Sequence, residues 1–203
     1  MKQLKRLNAG ALPVPITLIG QQTVGASLGM DSLTKSLFAG LIGFALVALF
    51  MIFFYRLPGL IAVFALILYT FVALTVFKLV PVTLSLAGIA GFILSIGMAV
   101  DANVLIFERT KEELRRGLSI TQALNEGFSR AWLSIRDSNA SSLITCFILV
   151  WFGTSVVKGF AVTLAIGILV SLFSAITVTR ILLHFIGPWV HHPRWFLGSR
   201  NDK

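Results

Sequence analysis

The sequence predicts an all-α membrane protein built around a five-transmembrane-helix bundle, and three observations lead to that prediction. Hydrophobic residues make up 57% of the 203 residues, charged residues only 12%, and the mean hydropathy is +0.91. A water-soluble domain would be about a quarter charged. The apolar residues form five runs of spanning length. The net charge of +9 lies in the short connections between these runs, a distribution that argues against nucleic acid as a partner.

The five predicted helices follow from these runs and from the turn residues between them. The sequence Arg-Leu-Pro-Gly at 56–59 predicts a tight turn, in which Pro58 is suited to the first position of the next helix. The third and fifth runs are long, so we expect them to tilt or to emerge at one end. The transmembrane bundle is predicted over 37–187, with helices at 37–54, 58–77, 83–107, 138–157 and 160–186.

Counts of Lys and Arg predict the orientation of the chain. The first and third connections and the C-terminus together hold eleven of these residues, and the other side holds six. Because cytoplasmic segments are richer in Lys and Arg, we expect the N-terminal segment 1–36 outside and the tail 188–203 in the cytoplasm. An odd number of helices that starts outside, without a signal peptide, leads us to expect a further segment before Met1.

The predicted cytoplasmic connection, 108–137, is the one substantial polar region. We expect its first part to continue the third helix as far as Gly117, with Glu112 and Arg116 at the favourable i, i+4 spacing. The capping-box pattern at Ser119–Gln122 then starts a second, amphipathic elbow helix. This elbow would either lie at the membrane surface or pack beneath the bundle, and the sequence leaves both arrangements open.

Asp101 indicates function more strongly than any other residue, because it lies inside a predicted span. It stands six residues before the charged end of the run Thr83–Phe107, roughly two turns inside the membrane. A carboxylate at this depth costs on the order of 1–3 kcal/mol on insertion scales and usually faces a cavity, a partner or a proton path. It could form an ion pair with Arg109, Arg136 or Arg180. Alternatively, it could bind and release a proton as its helix moves between two environments.

Small residues recur every four positions on the third and fifth predicted helices and predict close packing there. In lipid, such ridges let two backbones approach, since apolar bulk gives no driving force for association. Gly97, one turn before Asp101, also keeps that face narrow. Static packing and a mobile or hydrated interface both remain open. The ridges are Thr83, Ala87, Gly91, Ser95, Ala99 and Asn103 on one helix and Thr163, Gly167, Ser171, Ala175 and Thr179 on the other.

A resemblance to a known family rests on the segment around this aspartate. Ser95–Arg116, SIGMAVDANVLIFERTKEELRR, resembles the signature of the SecD family, a subunit of the bacterial Sec protein-export accessory complex. Leu7–Gly29 is similar to the segment that leads back from that family's large extracytoplasmic domain. SIRDSN at 134–139 and GTSVVKGF at 153–160 resemble its fifth helix region. The Asp-containing motif is specific, whereas small-residue helices also occur in the related SecF subunit and in other RND-superfamily transporters.

The resemblance implies an RND-like half, helices two to six of the family, that promotes protein translocation across the bacterial plasma membrane by using proton flow. It implies that Asp101 is the proton-responsive carboxylate, with Asn103, Asp137 and Asn139 as supporting polar residues. The implied partners are SecF, a SecY-type channel with SecA, a YajC-like subunit, the translocating preprotein and the lipid bilayer. The family's first membrane helix and large extracytoplasmic domain have no counterpart in this sequence, so we expect a shortened chain or one part of a split gene.

Two other classes of function remain open. One half of an RND-type proton-coupled small-molecule transporter would use the same carboxylate, although the VDANV motif and the N-terminal segment disfavour it. An intramembrane hydrolase would need partners for Ser155, and the only histidine near a span is His184, at a helix end. The pair His191-His192 lies in the tail, and no metal-ligand spacing is present. The sequence therefore predicts a protein that is not an enzyme and that needs no cofactor or metal.

Overall fold

The structure is a computed structural model of the chain, and it describes residues 26–80, 82 and 84–186. Residues 1–25 of the predicted N-terminal segment, the predicted tail 188–203 and the ridge residue Thr83 lie outside the described residues. The chain divides into two compact units, 1–32 and 33–203. Of the first unit only the helical start of α1 is described, and all contacts given below lie within the second.

All the described elements are helical. α1 spans Ala26–Leu79, α2 Leu86–Arg115, α3 Ile120–Phe152 and α4 Ser155–Phe173, and α4 continues through a π-helical segment, Ser174–Thr179, into α5, Arg180–Ile186. Within the described residues, three helical stretches are long and apolar enough to cross a membrane: Gly29–Leu79, Leu86–Arg115 and Ser155–Phe185. The predicted all-α class is therefore confirmed, with helices of the length that a membrane crossing requires.

α1 is interrupted where the sequence predicts a turn. Arg56 has φ 49° and ψ −114°, outside the helical region, and Pro58 removes a backbone donor. A Cβ on Gly59 would lie 3.1 Å from the Ile52 backbone nitrogen. Seven residues of straight helix would separate these positions by about 10 Å, so the chain must reverse direction between them. α1 therefore consists of two helical arms joined by a tight turn.

α2 is longer than the predicted span 83–107 at its C-terminal end. It begins at Leu86, where the Ser85 side chain caps the helix by accepting a hydrogen bond from the Gly88 backbone nitrogen at 3.2 Å. It continues through the charged segment to Arg115, as expected. Gly117 follows with φ 91°, a conformation that favours glycine and stops the helix. The predicted stop at Gly117 is confirmed.

The prediction of a separate elbow helix is corrected by the structure, because the elbow and the predicted helix 138–157 form one continuous helix, α3. The predicted capping box of Ser119 and Gln122 is present at its start. No glycine or proline occurs between residues 128 and 152, so nothing in that stretch favours a stop. Gly127 does not end the helix but packs on α2, where its Cβ would lie 2.8 Å from the Thr110 backbone nitrogen.

The boundary between the last two predicted helices also differs from the prediction. α3 ends at Phe152 and α4 begins at Ser155, rather than at 157 and 160, because Gly153 and Thr154 adopt extended backbone. The predicted single helix 160–186 contains the six-residue π-helical segment. Such segments often occur at functional sites, and hydrophobic periodicity does not reveal them.

α2 lies at the centre of the fold, in contact with both α3 and α4. Gly91 lies opposite Thr163 and Asn103 beside Thr179, so residue numbers increase together and α2 and α4 run parallel. α3 returns antiparallel to α2 after the short turn at Gly117. The outer face of α1 exposes large apolar side chains, as a lipid-facing surface does: Phe38, Leu41, Phe53, Phe64 and Phe71.

Candidate functional site

Asp101 lies on an exposed face of α2, beside a cavity of about 380 Å³ between α2 and α3. Gly97, one helical turn earlier, lines the same cavity, and a Cβ there would meet no atom within 4 Å. The predicted packing role of Gly97 is therefore not realised among the described residues, since its face is open. The other polar residues lining this cavity come from α3: Ser138, Asn139 and Ser142.

Asp101 makes no ion pair or hydrogen bond with any residue that the structure describes. The three arginines considered as its partners are engaged elsewhere. Arg109 pairs with Glu112 at 3.0 Å, Arg136 pairs with Asp137 at 2.9 Å, and the Arg180 guanidinium carbon lies 5.7 Å from the centre of the Phe128 ring. Within the described part of the chain, the ion-pair interpretation of Asp101 thus has no contact to support it.

Asn139 is the second polar group that the fold places at this cavity. Its side chain is buried, with 6% of the residue exposed, and its Nδ2 donates to the Ile135 carbonyl oxygen at 2.8 Å. Its Oδ1 has no hydrogen-bond partner among the described atoms, although a buried carbonyl oxygen ordinarily has one. The amide therefore leaves one acceptor unsatisfied in a residue that lines the same cavity as Asp101.

The hydroxyl groups at this cavity also present oxygen acceptors. Ser138 Oγ donates to the Ile135 carbonyl at 3.2 Å, and Ser142 Oγ donates to the Ser138 carbonyl at 3.1 Å. Each hydroxyl hydrogen is thus used within α3, and the oxygen lone pairs stay available. Together with Asp101 and Asn139, these groups form a cavity that accepts hydrogen bonds and that suits a proton or a hydrogen-bond donor.

The structure separates the remaining predicted polar residues from Asp101. Asp137 is exposed, pairs with its neighbour Arg136 and is not among the residues lining the cavity. Asn103 lies two residues after Asp101, a rotation of about 200° around the helix, and is buried in the α2–α4 interface instead. There its Nδ2 donates to the Ala99 carbonyl at 3.2 Å, and its Oδ1 accepts from Thr179 Oγ1 at 3.0 Å.

The two small-residue ridges contact each other in this interface. A Cβ on Gly91 would lie 2.6 Å from the Phe160 carbonyl oxygen, and Thr163 Oγ1 is 2.9 Å from the Gly88 carbonyl oxygen to which it donates. One full turn further along, a Cβ on Gly167 would overlap the Ser95 side chain. Ser171, also on this ridge, is buried and donates to its own helix.

Two polar contacts in the core were not evident from the sequence. Tyr69 Oη and Ser95 Oγ are 2.6 Å apart, in a hydrogen bond between α1 and α2, and Ser174 Oγ of the π-helical segment donates to the Ala65 carbonyl at 3.3 Å. Tyr69 carries a phenol hydroxyl in an apolar run, which is a weak signal that it has a buried partner. Ser174 gives no comparable signal, because its contact depends on the π-helical geometry.

The charged end of α2 also pairs differently from the prediction. The expected Glu112–Arg116 pair is not formed. Arg116 pairs instead with Glu113 at 2.9 Å, and Glu112 pairs with Arg109. Glu113 is 4% exposed and is also paired with Arg130 of α3. A buried carboxylate needs cationic partners more than an exposed one does, which explains why Glu113 recruits both arginines.

The enzyme alternative finds no geometric support. Ser155 begins α4 and His184 lies in α5, so the two are separated by about 40 Å of nearly continuous helix. Among the described residues, no group of three or more His, Cys, Asp and Glu side chains is arranged to hold a metal ion. The pair His191-His192 lies outside the described residues.

Comparison with known proteins shows similarity to SecD proteins along nearly the whole chain. Two curated relatives are named protein translocase subunit SecD: one from Thermobaculum terrenum, 60% identical over 98% of this chain, and one from Synechocystis, 56% identical over 88%. The chain spans 39% and 38% of the length of these relatives.

Solved structures agree with the sequence comparison. SecDF from Thermus thermophilus, described as a translocon-associated membrane protein, matches with a TM-score of 0.84 at 38% identity, over 90% of this chain and 26% of that one. SecDF in a super-membrane-facing form matches with a TM-score of 0.77 at the same identity. The family model described as protein export membrane protein SecD/SecF, C-terminal, matches residues 5–188. The chain therefore belongs to the SecD/SecF C-terminal family.

Proposed function

We propose that this chain forms the membrane part of a SecD-type subunit, in which Asp101 binds and releases protons and thereby couples proton flow to protein translocation across the bacterial plasma membrane. The observation that carries the proposal is the environment of Asp101: a carboxylate within an apolar helix, beside a cavity, with no cation paired to it among the described residues. A permanent ion-pair partner would hold a carboxylate in its charged form. A carboxylate without one can change its protonation state as its surroundings change.

The chemistry of the cavity supports this role. Asp101 contributes a carboxylate, Asn139 an unpartnered carbonyl oxygen, and Ser138 and Ser142 hydroxyl oxygens whose hydrogens are already used. A set of acceptors without a matching donor stabilises a proton, a water molecule or a donor side chain at its centre. In this proposal Asn139 and the serines position water beside Asp101. Asn103 has a different role and holds α2 against the π-helical segment.

The open face of α2 and α3 supports a position for a partner subunit in this proposal. On this face Leu94 is 49% exposed, and a Cβ on Gly97 would meet no atom within 4 Å. Asp101 lines the cavity between α2 and α3 on the same face. We propose that a SecF-type subunit covers this face and completes the proton path. The whole assembly would act with a SecY-type channel and SecA, a YajC-like subunit and the translocating preprotein.

The topology proposed for this function has five crossings. The two arms of α1 account for two crossings, α2 for the third, the second half of α3 for the fourth, and α4 with α5 for the fifth. In this arrangement the N-terminal end is outside, the polar turn between α2 and α3 is cytoplasmic and the C-terminal end is cytoplasmic. Asp101 then lies within the cytoplasmic half of the bilayer, where the cavity can exchange protons with water.

The test is Asp101→Asn in the complete complex, with secretion of a reporter protein measured in membrane vesicles with and without a proton gradient. The substitution keeps the size and hydrogen-bonding capacity of the side chain but removes its titratable proton. We expect the stimulation by the gradient to fall to the level of vesicles that lack the complex. ATP-driven export without a gradient should hardly change.

Asp137→Asn is the matched control, because Asp137 is an exposed carboxylate of α3 that pairs with Arg136 and does not line the Asp101 cavity. It should retain the response to the gradient. If Asp101→Asn vesicles respond to the gradient as strongly as wild type, the proton-coupling role of Asp101 is wrong. A small-molecule transporter, the second candidate, would leave protein secretion unaffected in both variants and would not co-purify with a SecF-type subunit.

A further inference from the structure

A second cavity, of about 340 Å³, lies between α3 and the π-helical end of α4, on a different part of α3 from the Asp101 cavity. Its wall is mostly apolar and includes Phe128 and Trp132 of α3, Ile106 of α2 and Ile176 of the π-helical segment. Three polar side chains share this lining: Asn125, Ser129 and Arg180. No carboxylate is among the lining residues, so the cavity carries a positive charge without a counter-ion in its wall.

Arg180 differs from the other arginines near this end of the molecule. Arg116 and Arg130 both pair with Glu113, and Arg136 pairs with Asp137. Arg180 makes no ion pair with any residue in the described ranges, and its guanidinium lies over the Phe128 ring, 5.7 Å from the ring centre. This cation–π contact holds the group at the cavity while its N–H donors stay free.

The position of the cavity along the helices matches the edge of a membrane. Ile106 lies next to Phe107, the last residue of the apolar run of α2, and the charged segment begins at Glu108. Trp132 and Leu133, on the same stretch of α3, are 41% and 56% exposed. An exposed tryptophan next to an arginine at the end of apolar helices is typical of the interface between the hydrocarbon core and the headgroups.

We propose that this cavity binds an anionic phospholipid, with the headgroup phosphate at Arg180, Ser129 and Asn125 and the first part of the acyl chains against Phe128, Trp132 and Ile176. Arg donates to phosphate through paired N–H groups, and the serine and asparagine side chains add neutral donors. The apolar wall favours a lipid over free phosphate or an acidic peptide. Basic pockets between membrane helices on the cytoplasmic side are known to suit such headgroups. This inference does not depend on proton coupling through Asp101.

The experiment uses the full chain in vesicles that contain either dibrominated phosphatidylglycerol or dibrominated phosphatidylcholine, because bromine quenches nearby tryptophan. The readout is the part of the quenching that disappears in Trp132→Phe, which isolates Trp132 from the other three tryptophans. We expect the phosphatidylglycerol to quench Trp132 at lower mole fraction than the phosphatidylcholine. Arg180→Gln should weaken that preference about fivefold, the effect of one basic side chain near an anionic surface, and Arg180→Lys should weaken it less.

Arg136→Gln is the matched control, because Arg136 is an exposed arginine of α3 that does not line the cavity. It should keep the preference. Equal quenching of Trp132 by the two lipids would overturn the proposal. An equal loss of the preference for phosphatidylglycerol in Arg136→Gln and Arg180→Gln would also overturn it, because the preference would then come from surface charge in general. Competition by millimolar inorganic phosphate would also overturn it in favour of a free anion. If circular dichroism shows that Arg180→Gln does not fold, Ser129→Leu, which fills the cavity, must abolish the preference for the proposal to stand.

Discussion

Two neighbouring polar residues of α2 have different surroundings because of the angle between them. Asp101 and Asn103 are separated by about 200° around the helix axis, so one lies at the open cavity and the other in the interface with α4. Both the Nδ2 and the Oδ1 of Asn103 are hydrogen-bonded, and its partner Thr179 is buried with 0% exposure. The motif that contains both residues therefore combines a titratable group and a structural anchor within three positions.

At this scale we predict that Thr179→Val destabilises the folded chain. Valine keeps the branched shape but leaves the buried Asn103 Oδ1 without its donor, which should lower the free energy of unfolding by about 1 kcal/mol. Thr75→Val is the control, because Thr75 is exposed and donates only to Phe71 of its own helix. The measurement is unfolding in mixed detergent micelles. Equal stability of the two variants would show that the Asn103–Thr179 hydrogen bond contributes nothing.

At the scale of the elements, α2 has two faces with opposite requirements. The face toward α4 is closely packed, since a Cβ on Gly91 would lie 2.6 Å from the Phe160 carbonyl oxygen and a Cβ on Gly167 of α4 would overlap the Ser95 side chain. The face with Gly97 and Asp101 borders the open cavity between α2 and α3, and a Cβ on Gly97 would meet no described atom within 4 Å. One helix thus provides a fixed interface within the subunit and a free surface for the proposed partner, and small residues occur on both.

The contrast between two glycines tests this assignment. Gly167→Ala places a methyl group against Ser95 and 3.1 Å from Tyr69 Oη, and we expect it to lower the free energy of unfolding by about 1–3 kcal/mol. Gly97→Ala should change it by less than about 0.5 kcal/mol, because the added Cβ meets open space.

The effects of these two glycine substitutions on association with a SecF-type subunit should be in the reverse order. Gly97→Ala should weaken co-purification of the two subunits more than Gly167→Ala does, once both variants are compared at equal amounts of folded protein. If Gly97→Ala leaves co-purification unchanged, the partner does not cover this face.

For the whole molecule, the turns and the charged ends decide which regions share a side of the membrane. The turn at Arg56 and the turn at Gly117 lie at one end of the α1–α2–α3 arrangement, since Tyr55 packs on Phe107, close to the charged end of α2. Lys78, at the far end of α1, is exposed. An arm of α1 that crosses the membrane must therefore place Lys78 opposite Gly117.

We predict that cysteines at these two ends react from opposite sides of the membrane. Lys78→Cys and Thr121→Cys are suitable positions because both side chains are exposed, and the native Cys146 is buried with 1% exposure and should remain unreactive. An impermeant thiol reagent added outside intact cells should label position 78 and not position 121. Thr154→Cys should behave like position 78. Labelling of 78 and 121 from the same side would contradict the proposed topology.

Much of the candidate site could be predicted from the sequence. The cost of an aspartate in an apolar helix identified Asp101, and turn chemistry predicted the reversal at Pro58, the stop at Gly117 and the capping box at Ser119, all of which the structure contains. These features depend on interactions within a few residues of the chain, so local sequence is sufficient to predict them.

The tertiary structure decided which residues meet. Three of these pairings depend on how α2, α3 and α4 are rotated against each other. Asn139 shares the cavity of Asp101 whereas Asp137 does not, and Glu113 is buried rather than Glu112. Asn103 pairs with a threonine 76 positions later in the chain. The continuity of α3 through the predicted elbow and the π-helical segment before Arg180 depend in the same way on packing between helices. The sequence by itself determined the class, the turns and the candidate carboxylate, because these follow from solvation and local backbone preference. The pairings required the fold, because rotation about a helix axis is fixed only when its neighbours pack against it.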